Sequence, residues 1–297
     1  MNDLNEKIPL VFAHRGASGY RPENTLEAFE LGIAQGADGI EFDIVSTKDS
    51  QLIIRHENVL SQTTNIREVV EFKDIQRDGT LDGVEHSDWF SEDINLEDIK
   101  KLRAIERVPE IRPGSAIFDG QFSIPTLLEV LQSEFLNNKI AVLEFKSGTH
   151  LEKFEGSVTE FAAQQVLESK AIERGVKLYV ESFDLKLILD AKSVFTKAGI
   201  AALYFLAIDS TKMADCDLGF LAENFDGLSI ATHMLLSTDT WVDSCHCLGL
   251  DVWVYTARAE KATTTIEAYY EELIQTGVDG IFADQPDLLR RVLNERG

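Results

Sequence analysis

Two histidines, three carboxylates and two cations stand out because each falls in or beside a short apolar run. Leu10-Val11-Phe12-Ala13 runs into His14-Arg15-Gly16, Asp38 to Val45 contains Glu41-Phe42-Asp43, and Ile140 to Phe145 ends on Glu144-Phe145-Lys146. If these runs are β-strands, Glu41 and Asp43 share a face, because side chains alternate with a period of two. Glu144 on a neighbouring strand can then point at the same space. Three converging carboxylates repel one another unless a cation neutralises them. An all-oxygen donor set favours a hard divalent ion, Mg²⁺ or Ca²⁺, over zinc. His14, and His56 after Leu52-Ile53-Ile54-Arg55, carry the side chain suited to general acid and general base work near neutral pH. Arg15 and Lys146 beside a divalent cation make a place for a phosphoryl group, and they also balance the charge of Glu41, Asp43 and Glu144. His86, His150, His233 and His246 are read as structural or exposed. Cys245-His246-Cys247 lacks a second ligand pair at zinc spacing, so no metal site is assigned to it.

The elements that must position these groups alternate along the chain. Strands are expected at 10–13, 38–45, 140–145, 177–181, 200–205, 227–230, 252–255 and 280–282. Helical patterns fall between them, including Asn24 to Ala34, Leu185 to Lys197 and Thr263 to Gln275. Asn24 is read as a helix cap with Glu27 three residues on, and Gly277 as the stop of the helix before it. Eight strands alternating with helices predict a parallel sheet, α/β in class, and eight units suggest a closed TIM (β/α)8 barrel. Periodicity alone leaves an open doubly wound sheet as the alternative. In a barrel of this kind catalytic groups sit at the C-terminal strand ends, where His14, Glu41, Asp43, Glu144 and Lys146 fall. From Glu57 to Ser123 the alternation breaks. This charged stretch, punctuated by Gly79, Gly83, Pro109, Pro113 and Gly114, reads as an insertion. Trp89, Phe90, Ile94 and Leu96 argue that it is ordered.

Composition bounds the partners. The 297 residues are 44% hydrophobic and 27% charged, which is globular composition with room for a large core. With 28 basic and 51 acidic residues the net charge is −23. That argues against nucleic acid and stable membrane association, and leaves a small anionic substrate possible inside a cleft with local cations. No stretch reaches the roughly 18 apolar residues of a membrane span. Met1 to Pro9 has no apolar run of the kind a signal peptide carries. Three cysteines, Cys216, Cys245 and Cys247, suit a reducing compartment, so the expected location is cytoplasmic. The oligomeric state has no signal in the sequence.

The ordered set of motifs resembles the glycerophosphodiester phosphodiesterases. His14-Arg15-Gly16-Ala17 with Pro22-Glu23-Asn24-Thr25 is similar to the opening signature of that family, and Gly36 to Asp43 to its second-strand motif. Thr47-Lys48-Asp49, His56, Ile124 to Leu127, Glu144 to Lys146, Glu181-Ser182-Phe183 and Asp279 to Asp284 continue in the family's order, so the likeness runs from His14 to about Pro286. The resemblance implies a single TIM-barrel domain over residues 1–297 with the insertion, about 57–123, between strand two and helix two. It implies a divalent cation on Glu41, Asp43 and Glu144, His14 and His56 as the acid–base pair, and Arg15 and Lys146 on the phosphate. Ser182-Phe183 and the strand Trp253–Tyr255 would line the glycerol end. The implied reaction is hydrolysis of a glycerophosphodiester to glycerol 3-phosphate and an alcohol. Either water or the substrate's own 2-hydroxyl could attack, and either histidine could be the acid.

Two departures bear on specificity. Glu57 follows the second histidine where the family usually has Asp, and Tyr255-Thr256-Ala257-Arg258 stands where it commonly has Trp-Thr-Val-Asn. The competing readings are a lysophospholipase D or phospholipase C-like enzyme acting on lipid headgroups, and a non-catalytic glycerophosphodiester-binding protein. The acidic charge disfavours the first, and the presence of both histidines and all three carboxylates disfavours the second.

Overall fold

The strands in chain order are β1 (Leu10–His14), β2 (Gly39–Ser46), β3 (Leu52–Ile54), β4 (Arg77–Leu81), β5 (Val84–Asp88), β6 (Ile140–Phe145), β7 (Lys177–Ser182), β8 (Ala202–Ile208), β9 (Gly227–Ala231), β10 (Asp251–Ala257) and β11 (Gly280–Ala283). They come from a computed structural model that describes residues 8–81, 83–210, 217–237 and 241–296. Met1 to Lys7 and Cys216, named above, lie outside the described residues. Among the described strands, eight are parallel and pair in the order β1-β11-β10-β9-β8-β7-β6-β2, and β2 pairs again with β1. That last pairing closes the ring, so the fold is the TIM barrel and the open sheet is excluded. β3 turns back antiparallel on β2, and β4 and β5 form a separate hairpin.

Both faces of a barrel strand are covered, which is why β2 and β6 are buried at every residue. Inward residues fill the barrel: Phe12, Val142, Phe205, Trp253 and Phe282 form one cluster. Trp253 stacks on Phe205 with centroids 3.7 Å apart. Such rings fit because glycines stand opposite them. A Cβ on Gly227 would lie 2.2 Å from the Phe205 ring, and one on Gly280 would lie 2.7 Å from Phe12 and 2.8 Å from Trp253. Outward residues pack against helices such as Leu185–Lys197, whose buried Ile188, Ala191 and Phe195 recur at helical spacing below an Asp184 cap.

The insertion has a small core of its own. Leu60, Ile66, Phe72, Trp89, Ile94, Ile99 and Leu102 pack with Val45, Ile53 and Ile124 of the barrel side. One reading at element level is corrected. Asn24 does not cap the first helix; Thr25 does, its side chain accepting from Ala28 N, and the helix is Leu26–Ala34. Asn24 has φ +58°, a conformation outside the cap geometry, and this frees its amide for another partner.

Candidate active site

Strand register brings the carboxylates together. Asp43 and Glu144 are direct partners across β2 and β6, His14 pairs with Glu41 across β1 and β2, and Glu144 pairs with Glu181 across β6 and β7. Glu41, Asp43 and Glu144 are all buried, and each offers an oxygen within 4.8 Å of the others. Asn24 donates to Asp43 Oδ2 at 2.9 Å. Its loop is fixed by the buried Arg55, whose guanidinium donates to the carbonyls of Glu23 (2.9 Å) and Asn24 (2.8 Å). Arg15 N donates to Glu41 Oε2 at 3.0 Å, and the Arg15 side chain lies 3.1 Å from Glu23 and 3.4 Å from Asp43. Lys146 Nζ lies 2.7 Å from Glu144 Oε1 and 3.7 Å from Asp43 Oδ1.

The electrostatics suit a cation among these oxygens. Burial, and then the charge of Asp43 and Glu144, pushes Glu41 well above the usual carboxylate range. Burial pushes Glu144 up to about 7 although Lys146 opposes it. At Asp43 burial acts upward, but His56, Arg15 and Lys146 together hold it below the usual range. Glu41 Oε1 and Asp43 Oδ1 are buried and accept no hydrogen bond from the described residues. Two buried oxygens without a hydrogen bond and a crowded anionic set are what a hard divalent ion satisfies, so the donors fit such a group.

Each histidine is held at Nδ1 by a carboxylate. His14 Nδ1 lies 2.7 Å from Asp284 Oδ1, with Nε2 4.0 Å from Glu41 and 3.4 Å from Thr256 Oγ1. His56 Nδ1 lies 2.5 Å from Glu57 Oε1, with Nε2 3.1 Å from Lys146 Nζ. An Nδ1–H given to a carboxylate leaves Nε2 as the reactive nitrogen, on the side of the carboxylate cluster. Burial, and then Arg15, lowers His14; burial, then Arg15 and Lys146, lowers His56 to about 4. Both shifts favour the neutral ring.

His14, Arg15, Glu41, His56, Glu144, Glu181, Phe183 and Tyr255 line one cavity of about 220 Å³, and Lys146, His56 and Phe183 also line an adjoining one of about 400 Å³. Phe183 and Tyr255 meet edge to face at 5.5 Å. Trp253 is placed differently from the expectation. It is only 1% exposed and stacks in the barrel interior, one layer below Tyr255, so it packs the core rather than the cavity wall. Ser182 is likewise buried, donating to Phe145 O at 2.8 Å. His150, read as structural, is buried beside the larger cavity, and His246 is tied to Asp279 at 2.8 Å.

Several groups around the histidines carried no assigned role in the sequence reading: Asp284, Glu57, Glu23, Arg107 and Arg112. Asp284, Glu57 and Glu23 fall in or next to recognisable motifs, so a signal existed. Arg107 and Arg112 lie in the insertion, where nothing in the local pattern marks them.

Comparisons with known proteins agree on one family. The model described as the glycerophosphoryl diester phosphodiesterase family matches residues 14–288. The chain is 28% identical over 292 residues to a glycerophosphodiester phosphodiesterase of Caldanaerobacter subterraneus, covering 97% of this chain and 99% of that one. It is 28% identical over 295 residues to one of Bacillus subtilis, covering 98% and 88%. Among solved structures, an Oleispira antarctica phosphodiesterase in complex with the product sn-glycerol-3-phosphate superposes with a TM-score of 0.69 at 23% identity, covering 97% of each chain. A glycerophosphodiester phosphodiesterase of Parabacteroides distasonis gives 0.67 at 22% identity, covering 98% and 99%. At these identities the structural likeness speaks for the fold.

Proposed function

The chain belongs to the glycerophosphoryl diester phosphodiesterase family, and on that premise we propose that it hydrolyses glycerophosphodiesters to glycerol 3-phosphate and an alcohol, with His14 and His56 as general acid and general base. The observation that carries the reading is that both histidines, each held at Nδ1 by a carboxylate, line one cavity with Glu41 and Glu144 of the three-carboxylate cluster.

A divalent cation, Mg²⁺ or Ca²⁺, bound to Glu41, Asp43 and Glu144 would supply Lewis-acid charge neutralisation on the phosphate. Arg15 and Lys146 share the charge that builds on the nonbridging oxygens. The basic histidine takes a proton at Nε2 from the attacking hydroxyl. The other histidine delivers a proton from Nε2 to the leaving alkoxide as the P–O bond breaks. An anionic diester seated between the two rings raises their proton affinity, opposing the lowering that burial causes. Phe183 and Tyr255 offer apolar surface to the glycerol carbons.

The whole chain works as one phosphodiesterase domain in this reading, with residues of about 57–123 forming one side of the site. The substrate is a small molecule, and the acidic charge and sparse cysteines support a cytoplasmic setting. The test is release of glycerol 3-phosphate by purified protein from a panel of glycerophosphodiesters. Release from at least one of them, lost in His14→Ala and His56→Ala, is expected. No release from any member of the panel, with Mg²⁺ and Ca²⁺ both supplied, would overturn the reading.

A further inference from the structure

The two histidine–carboxylate pairs are backed by one short piece of the insertion. Arg107 donates through Nη1 to Glu57 Oε1 at 2.8 Å and through Nη2 to Glu57 Oε2 at 2.7 Å. The same guanidinium reaches Glu23, Nη2 to Oε1 at 2.7 Å and Nε to Oε2 at 3.0 Å. Five residues on, Arg112 donates through Nη2 to Asp284 Oδ2, the oxygen not facing His14, and through Nε to Glu260 at 2.6 Å. The segment is itself anchored. Ile105 N donates to Thr63 O at 3.0 Å, Glu106 N to Asp119 Oδ1 at 2.7 Å, and Arg112 N to Val108 O at 3.0 Å. It lies across the end of β1, walling a cavity of about 230 Å³ with His14 and Arg15 on the barrel side.

We propose that Arg107 and Arg112 are a matched pair of positioning residues, each fixing the carboxylate that orients one histidine, Arg107 acting on His56 through Glu57 and Arg112 on His14 through Asp284. The inference rests on the acid–base reading of His14 and His56. A carboxylate that accepts from an imidazole orients the ring only as well as its own plane is held; Arg107 grips Glu57 with two prongs, and Arg112 holds Asp284 with one. The need is greater at residue 57. Glu57 has one more rotatable bond between backbone and carboxylate than Asp284, and the two-pronged contact with Arg107 removes that freedom. Asp284 is shorter, and Arg258 Nε also approaches its Oδ2 at 3.0 Å. Loss of Arg112 should therefore cost less than loss of Arg107. Neither arginine pairs with the carboxylate cluster; Arg112 acts through Asp284, whereas Arg107 also holds Glu23, the partner of Arg15, so only the part of its effect that runs through Glu57 reaches His56.

The experiment has two parts, both on the full chain. In the first, kcat and KM for a glycerophosphodiester are measured for Arg107→Gln, Arg112→Gln, Glu57→Gln, Asp284→Asn and the four double variants that combine one arginine with one carboxylate. Arg107→Gln should lower kcat about 10- to 100-fold, the usual range for a group that orients a catalytic one, with little change in KM. Most of that loss should vanish when Glu57 is already Gln, and it should persist in full when Asp284 is Asn. Arg112→Gln should show the opposite pairing and a smaller loss. Arg107→Lys, which keeps the charge but not the fork, should not restore kcat.

In the second part, ring nitrogen signals of His14 and His56 are followed by NMR with ¹⁵N-histidine, which needs no activity. Arg107→Gln should move only the His56 signals and Arg112→Gln only those of His14. Additive losses in the double variants, or NMR shifts that ignore the pairing, would overturn the proposal. An inactive wild-type enzyme whose NMR shifts still follow the pairing would instead refute the assigned reaction and leave the positioning intact. Should a Gln variant not fold, its Lys counterpart is read by the same NMR criterion.

Discussion

A carboxylate buried beside two others takes up either a proton or a cation, and the two outcomes can be separated at Glu41, Asp43 and Glu144. Burial pushes Glu144 up to about 7 and Glu41 well above its ordinary range, so metal-free protein holds protons there at pH 7. Binding of Mg²⁺ or Ca²⁺ must displace them, and affinity should weaken as pH falls from 8 to 6. Calorimetry in buffers of different ionisation enthalpy should show net proton release. Activity should vanish on chelation and return with either ion; full activity in protein shown metal-free by elemental analysis would sink the assignment. The histidines are tested by the leaving group. Each proton transfer is typically worth about 10²–10⁴-fold, but a nitrophenolate needs little help to leave. His14→Ala and His56→Ala should both cripple hydrolysis of a glycerophosphodiester, and only the variant lacking the acid should recover on a nitrophenyl diester. Equal impairment on both substrates would mean that the rings chiefly position the phosphate. His14, His56 and the three carboxylates were legible in the sequence because each lies in or near a strand run whose period fixes where the side chain points. Arg107 was not, because its partners Glu23 and Glu57 lie 84 and 50 residues away, and only the folded insertion brings them within reach. Trp253 was misplaced for a related reason: period two gives the face of the barrel wall but not the layer.

At the scale of elements, the insertion is two things joined, and they should respond differently to excision. The stretch around Ile105 to Arg112 reaches the histidine carboxylates, whereas no hydrogen bond or ion pair joins the described residues of the β4–β5 hairpin to them. The hairpin's residues between Arg77 and Asp88 are mostly exposed where described. Its roots are not expendable. Arg77 pairs with Glu92 at 3.0 Å and lies over the Phe90 ring at 3.8 Å, and Asp88 accepts from Ser61 Oγ at 2.5 Å. Replacing residues 78–87 with a two-residue turn should therefore lower the thermal midpoint by only a few degrees, roughly what a loss of 1–2 kcal/mol costs a chain of this size, and leave kcat near wild type. Loss of activity on that replacement, measured beside circular dichroism to show that the fold is kept, would place the hairpin in the site. The barrel strands were readable from sequence because alternating helix and strand periods repeat eight times. The insertion was not, since its short helical turns are held by the cluster around Trp89 and Phe72 and its two short strands by their own pairing rather than by any local period.

For the molecule as a whole, a net charge of −23 sets what can approach it. Screening at physiological salt confines this repulsion to about 8 Å, so a small diester diffusing into the cavity feels mainly the charges lining it, where Arg15, Lys146 and a divalent cation bound to Glu41, Asp43 and Glu144 would offset the carboxylates. A bilayer meets the outer surface instead. No helix among the described residues is long and apolar enough to cross a membrane, and the anionic face of a membrane carrying acidic lipids repels an acidic protein. The protein should therefore act on deacylated, water-soluble diesters and turn over phospholipid in vesicles slowly at best. Comparing glycerophosphocholine with phosphatidylcholine vesicles at equal headgroup concentration checks this. Doping the vesicles with phosphatidylglycerol should depress any residual lipid turnover further, and raising the salt should relieve that added depression while leaving the glycerophosphocholine rate little changed. If vesicle lipid were turned over faster than the soluble diester, the lipid-headgroup reading would replace the one proposed. An undiminished rate on acidic vesicles would show that the approach is governed by a local patch and not by the net charge.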